Sequence, residues 1–478
     1  MTLQIVLRRR FLRDAAVALA VPGIPLTGLA QTVIRRRMEW QSFKITPQYN
    51  SLLTAIRRMK ANTNAADPNS WSSWTNIHVN RCPHGIAYFL AWHRGYLYHF
   101  ERRLRAVSGD SKLVLPYWDY YSYATLPAEF TNASSTNPLY VPRVNTNVRQ
   151  ALTLDPFSNA LINFQRGQAD AFEPSLESAP HNPVHDIIGN TMTTMQSPAD
   201  PIFWLHHANI DRLWSAWVKA AGGRRMPLNT SSYWSGGFVY TSTLGMQKKL
   251  TYDTRTTLYY DYQSETMPAS LPLAQLAPGR TWRVQANPAA RAAALPALGS
   301  FKATGPKATG EATFSIGGAL AIGLDQRSVS APLPIASDDW AAVQEIERGN
   351  PASVRGSARK YRSVHLVLDN VELSEDGKKG GYYYQVYLNI PAADGLPNAR
   401  GPVLLGTLGA FQVSGARHHG GVATLRYRIP RALLGNAGLR VGMATISFVR
   451  VDGDISPRGP TVGIGEARLE LSTEDDGS

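Results

Sequence analysis

Apolar positions recur every three or four residues in several stretches of the first half of the chain, the spacing that lines one face of an α-helix. From His93 to Val107, the residues Leu97, Phe100, Leu104 and Val107 keep this interval and predict a helix. Asn50 to Lys60 predicts another. A further helix starts near Asp200, which can cap free amides, with Pro201 suited to a first turn that needs no amide hydrogen. Its apolar face is Ile202, Leu205, Leu213, Trp214 and Trp217. Few strands are convincing between Arg35 and Tyr262, so this part is expected to be mainly helical. Beyond residue 310 the period shortens to two, the spacing of a strand. Ala312–Ile316, Val364–Leu368, Tyr382–Ile390, Ala423–Ile429 and Met443–Val449 alternate in this way. The turn-forming clusters Glu375-Asp376-Gly377 and Asp452-Gly453 lie among them. Several short antiparallel strands predict an all-β sandwich or barrel.

This change of period divides the 478 residues into four expected segments. Residues 1–30 carry Arg8-Arg9-Arg10-Phe11-Leu12-Arg13, then a weakly apolar stretch broken by Pro22 and Pro25, then the small residues Gly28 and Ala30. That pattern reads as a twin-arginine export signal, an address read by a receptor rather than an anchor. Residues 31–264 form the helical part. Residues 265–310, rich in Ala, Pro and Gly, read as a linker or an ordered strap. Residues 311–478 form the β-rich part.

The formal net charge is +14, but the basic residues form no long run and no nucleic-acid motif accompanies them. A solvated basic surface is the reading, with no nucleic-acid partner. Stable membrane insertion is not expected, because no apolar stretch is long enough to span a bilayer. The single cysteine, Cys82, excludes an internal disulfide. An exported protein without disulfides needs a large core or a bound metal instead.

Eight of the 11 histidines fall between His78 and His207, in two groups. The first is His78, His84, His93 and His99; the second is His181, His185, His206 and His207. A neutral imidazole offers a lone pair to a metal, so six of them can hold two ions. On a helix, His181 and His185 share a face. The residue after His181 is Asn182, where a zinc protease needs a glutamate as base. His206 and His207 point about 100° apart on a helix, so only one joins that pair. Asp211, four residues after His207, could support its ring. That favours His207 as ligand and His206 as a supporting or core residue. His84 and His93 are nine positions apart, so His84 is expected in the loop before the helix and His93 within it. His78 is the candidate third ligand, and His99 a packing or surface residue. Imidazole sites without carboxylates favour copper over a di-iron centre, which uses several carboxylates.

Two segments resemble the copper motifs of tyrosinases and polyphenol oxidases. The first runs from Cys82-Pro83-His84-Gly85 through Phe89-Leu90-Ala91-Trp92-His93-Arg94-Gly95-Tyr96-Leu97. The second is Asp200-Pro201-Ile202-Phe203-Trp204-Leu205-His206-His207 with Asn209, Asp211, Arg212 and Trp214. Leu115-Pro116-Tyr117-Trp118-Asp119 and Tyr260-Asp261-Tyr262 also resemble that family. The resemblance implies a four-helix bundle around a type-3 pair of copper ions, one held by His78, His84 and His93 and the other by His181, His185 and His207. It implies a thioether between Cys82 and His84, and proton uptake from phenols by Glu177 with Asn182. It places Thr194 and Met195 at the pocket mouth, while Phe203 is expected to pack against the ligands.

The β-rich part resembles the domain of plant-type latent polyphenol oxidases that covers the copper pocket until it is cleaved or displaced. Its echoes are Tyr383 to Ile390, Gly409-Ala410-Phe411-Gln412-Val413 and Val462 to Gly465. Phe411 is a candidate plug but reads as an ordinary core residue, and His418 and His419 as part of a solvated Gly-rich loop. The expectation is therefore an exported phenol oxidase using O2, periplasmic or extracellular, latent until uncovered. It would hydroxylate monophenols and oxidise o-diphenols to o-quinones. The alternatives are an oxidase restricted to catechols or o-aminophenols and, from another class, an oxygen carrier like hemocyanin.

Overall fold

The computed structural model describes residues 33–272, 302–305, 307–310, 312–389, 403–430 and 443–474. The expected export signal and most of the expected linker lie outside the described residues. Among the described residues, no helix is long and apolar enough to cross a membrane.

The first part is built on helices α1 (Gln48–Ala61), α2 (Trp71–Arg81), α3 (Phe89–Ser108), α4 (Asn182–Ile188) and α5 (Ile202–Lys219). Helix α3 starts four residues earlier than its apolar period suggests. The break comes at Tyr88, whose left-handed φ of 72° ends the preceding loop. At α5 the Asp200 carboxylate accepts the Ile202 amide at 3.0 Å, as its sequence predicts. Helix α2 escapes the periodicity because its buried face mixes Trp71, Trp74 and Ile77 with Thr75 and His78. Helices α3 and α5 are joined by aromatic packing, with Phe100 stacked on Trp204 at 3.4 Å.

The same helices are also tied by buried charge. Strand β1 (Arg35–Arg37) pairs in parallel with β2 (Tyr260–Tyr262), which closes the helical part around its own beginning. Arg37, fully buried, bonds Glu101 on α3 at 2.8 Å and Asp211 on α5 at 3.4 Å. Arg94 on α3 reaches Asp211 at 2.6 Å and lies over the Trp214 ring. Tyr260 and Tyr262 donate their hydroxyls to the same carboxylate. Burial alone would raise the Asp211 carboxyl, but Arg94, Arg37 and the two tyrosines hold it below its ordinary value.

The second part is a sandwich of two antiparallel sheets. Its strands are β3 (Thr313–Leu324), β4 (Val329–Pro334), β5 (Ser363–Leu373), β6 (Tyr382–Asn389), β7 (Val403–Gly409), β8 (Ala423–Ile429), β9 (Met443–Asp452) and β10 (Val462–Ser472). One sheet has the order β7-β6-β9-β4; the other runs β8-β5-β10-β3, with the short strand Lys302–Thr304 at its edge. Side chains from both sheets share one core, including Ile316, Leu366, Val386, Ile446 and Leu469. Strands β4, β7 and β10 were not anticipated; glycines and prolines interrupt their apolar alternation. Glu375–Lys378 is a short helix rather than an open turn, capped by Ser374. Helix α6 (Ser337–Glu347) follows β4, and helix α7 (Ala410–Gly420) follows β7. His418 and His419 therefore sit on a helix, not in the expected loop.

The sandwich docks on the helical part through paired backbone and side-chain groups. Asn145 exchanges two hydrogen bonds with the Ile455 backbone, at 2.8 and 2.6 Å. The Gly381 amide donates to the Asp186 carbonyl at 2.7 Å. Tyr383 donates its hydroxyl to the Gln150 carbonyl at 2.8 Å. These contacts place α7 directly over the histidines.

Candidate metal centre

The expected ligands come from four helices and one loop. Helix α2 supplies His78, the following loop His84, and the first turns of α3 His93. His181 stands at the start of α4, His185 within it, and His207 on α5. The structure brings these residues into two adjoining groups: His78, Cys82, His84 and His93, and His181, His185, His206 and His207. In each group the potential donor atoms all lie within 4.8 Å of one another. The groups touch: the His93 ring stacks on His207 at 4.3 Å between centroids, and His84 lies 5.9 Å from His181.

The orientation of the rings tests whether metal ions fit. His78 Nδ1 lies 2.8 Å from the Met195 carbonyl, His93 Nδ1 2.8 Å from Phe89 O, and His185 Nδ1 2.8 Å from Met192 O. His181 Nδ1 lies 2.8 Å from the Asn182 side-chain oxygen. Each acceptor keeps a proton on Nδ1 and leaves a lone pair on Nε2, the tautomer a metal requires. His78 Nε2 is buried and has no partner. In the second group, His207 Nε2 is 3.3 Å from both His181 Nε2 and His185 Nε2. A tetrahedral ion with metal–nitrogen bonds of roughly 2.0 Å has edges of about 3.3 Å. Lone pairs packed this closely repel unless a cation lies among them. Burial drives the His181 ring down to about 3 and the His78 ring to about 4, and holds His93, His185 and His207 well below their ordinary value. All are therefore neutral near pH 7, and all can ligate.

His206 lies closer to the group than its expected supporting role implies. Its ring is buried 5.3 Å from His181 and 5.0 Å from His185, and neither nitrogen has a side-chain partner. Asp211 corrects the sequence reading. Both its oxygens are taken by arginines and tyrosines, and His207 Nδ1 has no partner. Asp211 holds the helix that carries His207 rather than the ring itself. Phe203 packs between the groups, 4.1 Å from His207 and 5.1 Å from His78. His99 faces Tyr240, at 5.4 Å and away from both groups.

Cys82 Sγ lies 3.5 Å from His84 Nε2 and 3.3 Å from His93 Nε2. Its thiol is fully buried, which pushes its pKa well up. Glu177 is buried beside the first group. One oxygen accepts the Gly85 amide at 2.7 Å, and the other pairs with Arg166. Burial raises the Glu177 carboxyl, against the pull of Arg166 and the Gly85 amide. Thr194 and Met195 line a cavity of about 440 Å3 together with Ser414 and Arg417 of α7.

The reading of Phe411 as an ordinary core residue is also corrected. Its ring stacks on His185 at 4.0 Å with planes 12° apart, and meets His84 and His181 edge-on at 5.0 and 5.6 Å. It reaches this position as the second residue of α7. The Asp186 carboxylate, next to His185 on α4, accepts the Phe411 amide at 2.8 Å. Gly409 allows the approach, since a Cβ there would fall 2.1 Å from that carboxylate. Burial pushes the Asp186 carboxyl up to about 8. Sequence reasoning missed Asp186 and Arg166. Asp186 stood out only as a carboxylate directly after His185 in the run Val184 to Ile188; Arg166 had no signal.

The common central domain of tyrosinase matches residues 53–168 and 132–220. A tyrosinase of Hahella sp. is 36% identical over 180 residues, 30% of this chain and 39% of that protein. A tyrosinase of Streptomyces glaucescens is 32% identical over 184 residues, 30% of this chain and 66% of that protein. The chain thus spans less than two thirds of the length of these relatives. The structure of latent apple tyrosinase aligns over 94% of this chain and 99% of that one, with a TM-score of 0.51 at 19% identity, which marks a shared fold.

Proposed function

We propose that the chain, which carries the central domain of tyrosinase, is a copper oxidase of the tyrosinase and polyphenol oxidase kind, with a type-3 pair of copper ions at its centre, and that it oxidises phenols with O2. The observation that carries this reading is the convergence of six Nε2 lone pairs in two adjoining groups, four of them set by a hydrogen bond at Nδ1. His78, His84 and His93 would hold one copper, and His181, His185 and His207 the other. Such a pair, when bound, hands O2 two electrons at once and recovers them from the phenol.

The rest of the chemistry falls to the chain's own residues. Phe203 and Phe89 exclude water from the rings, which strengthens every charge interaction inside. Glu177, beside the loop of His84, takes the proton of an incoming phenol, and Asn182 keeps His181 aimed. This supports hydroxylation of monophenols as well as oxidation of o-diphenols. Cys82 lies 3.5 Å from the His84 ring, where loss of the S–H and a ring C–H hydrogen, with O2 taking the two electrons and two protons, would form a C–S bond that locks the ring.

In the arrangement described, Phe411 covers the rings that substrate would have to reach. The chain is therefore latent, and it becomes active when residues beyond 302 are displaced or cut away. The twin-arginine pattern supports export, to the periplasm or outside the cell.

Metal analysis and oxygen uptake test the reading together. Intact protein should hold two coppers per chain, and should consume O2 with catechol and with tyrosine once a protease has cut between 272 and 302. His207→Ala should lose one copper and the activity. Zinc in place of copper, or reversible O2 binding without phenol turnover after cleavage, would sink it.

A further inference from the structure

Glu177 is held at both of its oxygens, and the two holds differ in kind. The Gly85 amide, which grips one oxygen, belongs to the loop that also carries His84. Arg166, which grips the other, stands on a separate loop. That loop is itself fixed: Asn163 bridges to Ala171 and to Arg225, and the Arg166 amide donates to Glu173 at 3.4 Å. Glu173 in turn accepts the Leu90 amide at the start of α3. Arg166 is thus aligned against the same helix that presents His93.

Two carboxylates, Glu173 and Glu177, are buried here beside one guanidinium. Burial pushes Glu173 up to about 7, so it competes weakly for that charge. The Arg166 guanidinium is committed to Glu177. The guanidinium reaches Glu177 through one terminal nitrogen, so this charge-assisted bond and the Gly85 amide on the other oxygen together fix the carboxylate's direction.

We propose that Arg166 is a positioning residue for phenol hydroxylation: it fixes the Glu177 carboxylate against the Gly85 amide, and so aims it at the hydroxyl of a monophenol. The inference rests on the reading of Glu177 as proton acceptor. An o-diphenol is more acidic and binds through two oxygens, so it depends less on that aim. Arg166 therefore acts on the choice between the two substrate classes without touching either.

The test uses the full chain carrying Phe411→Ala, so that the site is open, with Arg166→Met, Arg166→Lys or Glu177→Ala added. Hydrogen exchange at the Gly85 amide is read first, without added copper. Glu177→Ala should remove its protection by about tenfold or more, Arg166→Met should do nearly the same, and Arg166→Lys should restore part of it. With copper, Arg166→Met should lower kcat for tyrosine roughly tenfold more than kcat for catechol. Unchanged Gly85 protection in Arg166→Met, or equal losses with both phenols, overturns the proposal. If Glu177→Ala leaves tyrosine oxidation intact, the reading of Glu177 fails instead, and the Gly85 measurement still decides whether Arg166 holds it. Should Arg166→Met not fold, Arg166→Gln carries the same comparison.

Discussion

The candidate copper ligands are gripped from two sides by regions built on different principles. Beneath them, α3 and α5 are locked by Arg37, Arg94, Glu101 and Asp211, all buried and all paired. Above them, the sandwich reaches the site with one helix end, where Phe411 lies on the rings and the Asp186 carboxyl takes its amide. The lower region uses charges that cannot be separated without leaving one unpaired in the interior. The upper region uses an aromatic ring and hydrogen bonds between uncharged groups, which can be given up to substrate and water without leaving a charge unpaired in the interior. The first is a frame and the second a cover.

The largest expected effect breaks the frame. Asp211→Ala strips Arg94 and Arg37 of a shared partner and leaves two tyrosine hydroxyls without an acceptor. Removing one side of a buried ion pair costs about 3–5 kcal/mol. Nine of the 11 tryptophans precede residue 264, so tryptophan fluorescence reports unfolding of the helical part. Denaturant midpoints should fall accordingly, and a loss under about 1 kcal/mol would remove the distinction from surface pairs. The sign with pH follows from the depressed Asp211 carboxyl. Its contribution is complete above the ordinary carboxyl value and drains away as pH falls through the lower folded one, so Asp211→Ala should cost less in acid than at pH 7.

Next in size is the cover itself. Phe411→Ala removes a buried ring from the closed arrangement, worth about 3 kcal/mol or more. At about 1.4 kcal/mol per tenfold, the balance of closed and open forms moves by roughly a hundredfold. Catechol oxidation by the intact chain should approach that of cleaved chain, while the denaturant midpoint of the helical part stays put. If intact and cleaved wild-type chains are equally active, the cover covers nothing.

The two regions also differed in how far the sequence disclosed them. The helical part was readable because ligation and packing coincide with periodicity: His93 and His207 lie on helices that Leu97, Phe100, Leu205 and Leu213 already announce. His78 lay on a helix that periodicity missed, since its inward face is half polar. Asp211 was assigned to His207 from spacing alone, and spacing carries no information about Arg37, which arrives from 174 residues away. In the sandwich, alternation marked most strands but could not say which phenylalanine faces outward. Phe411 reads like any core residue until Asp186 and Gly409, from opposite regions, fix the start of α7. Local pattern predicts elements well; contacts across the chain between charged or small residues leave no local trace.

The smallest effect sharpens the comparison most, because it weakens the cover without altering the rings. Tyr383 is buried on β6 and gives its hydroxyl to the Gln150 carbonyl of the helical part. Tyr383→Phe keeps the ring and loses only that bond, a cost of roughly 0.5–1.5 kcal/mol. If the cover is held by several small bonds that act together, the intact chain should gain up to about tenfold in catechol oxidation. Cleaved chain should show no difference from wild type, because it has no Tyr383 left to lose. A gain of similar size in both forms would mean that the substitution acts through the helical frame. The cover would then be part of the frame rather than a separate, removable hold on the site.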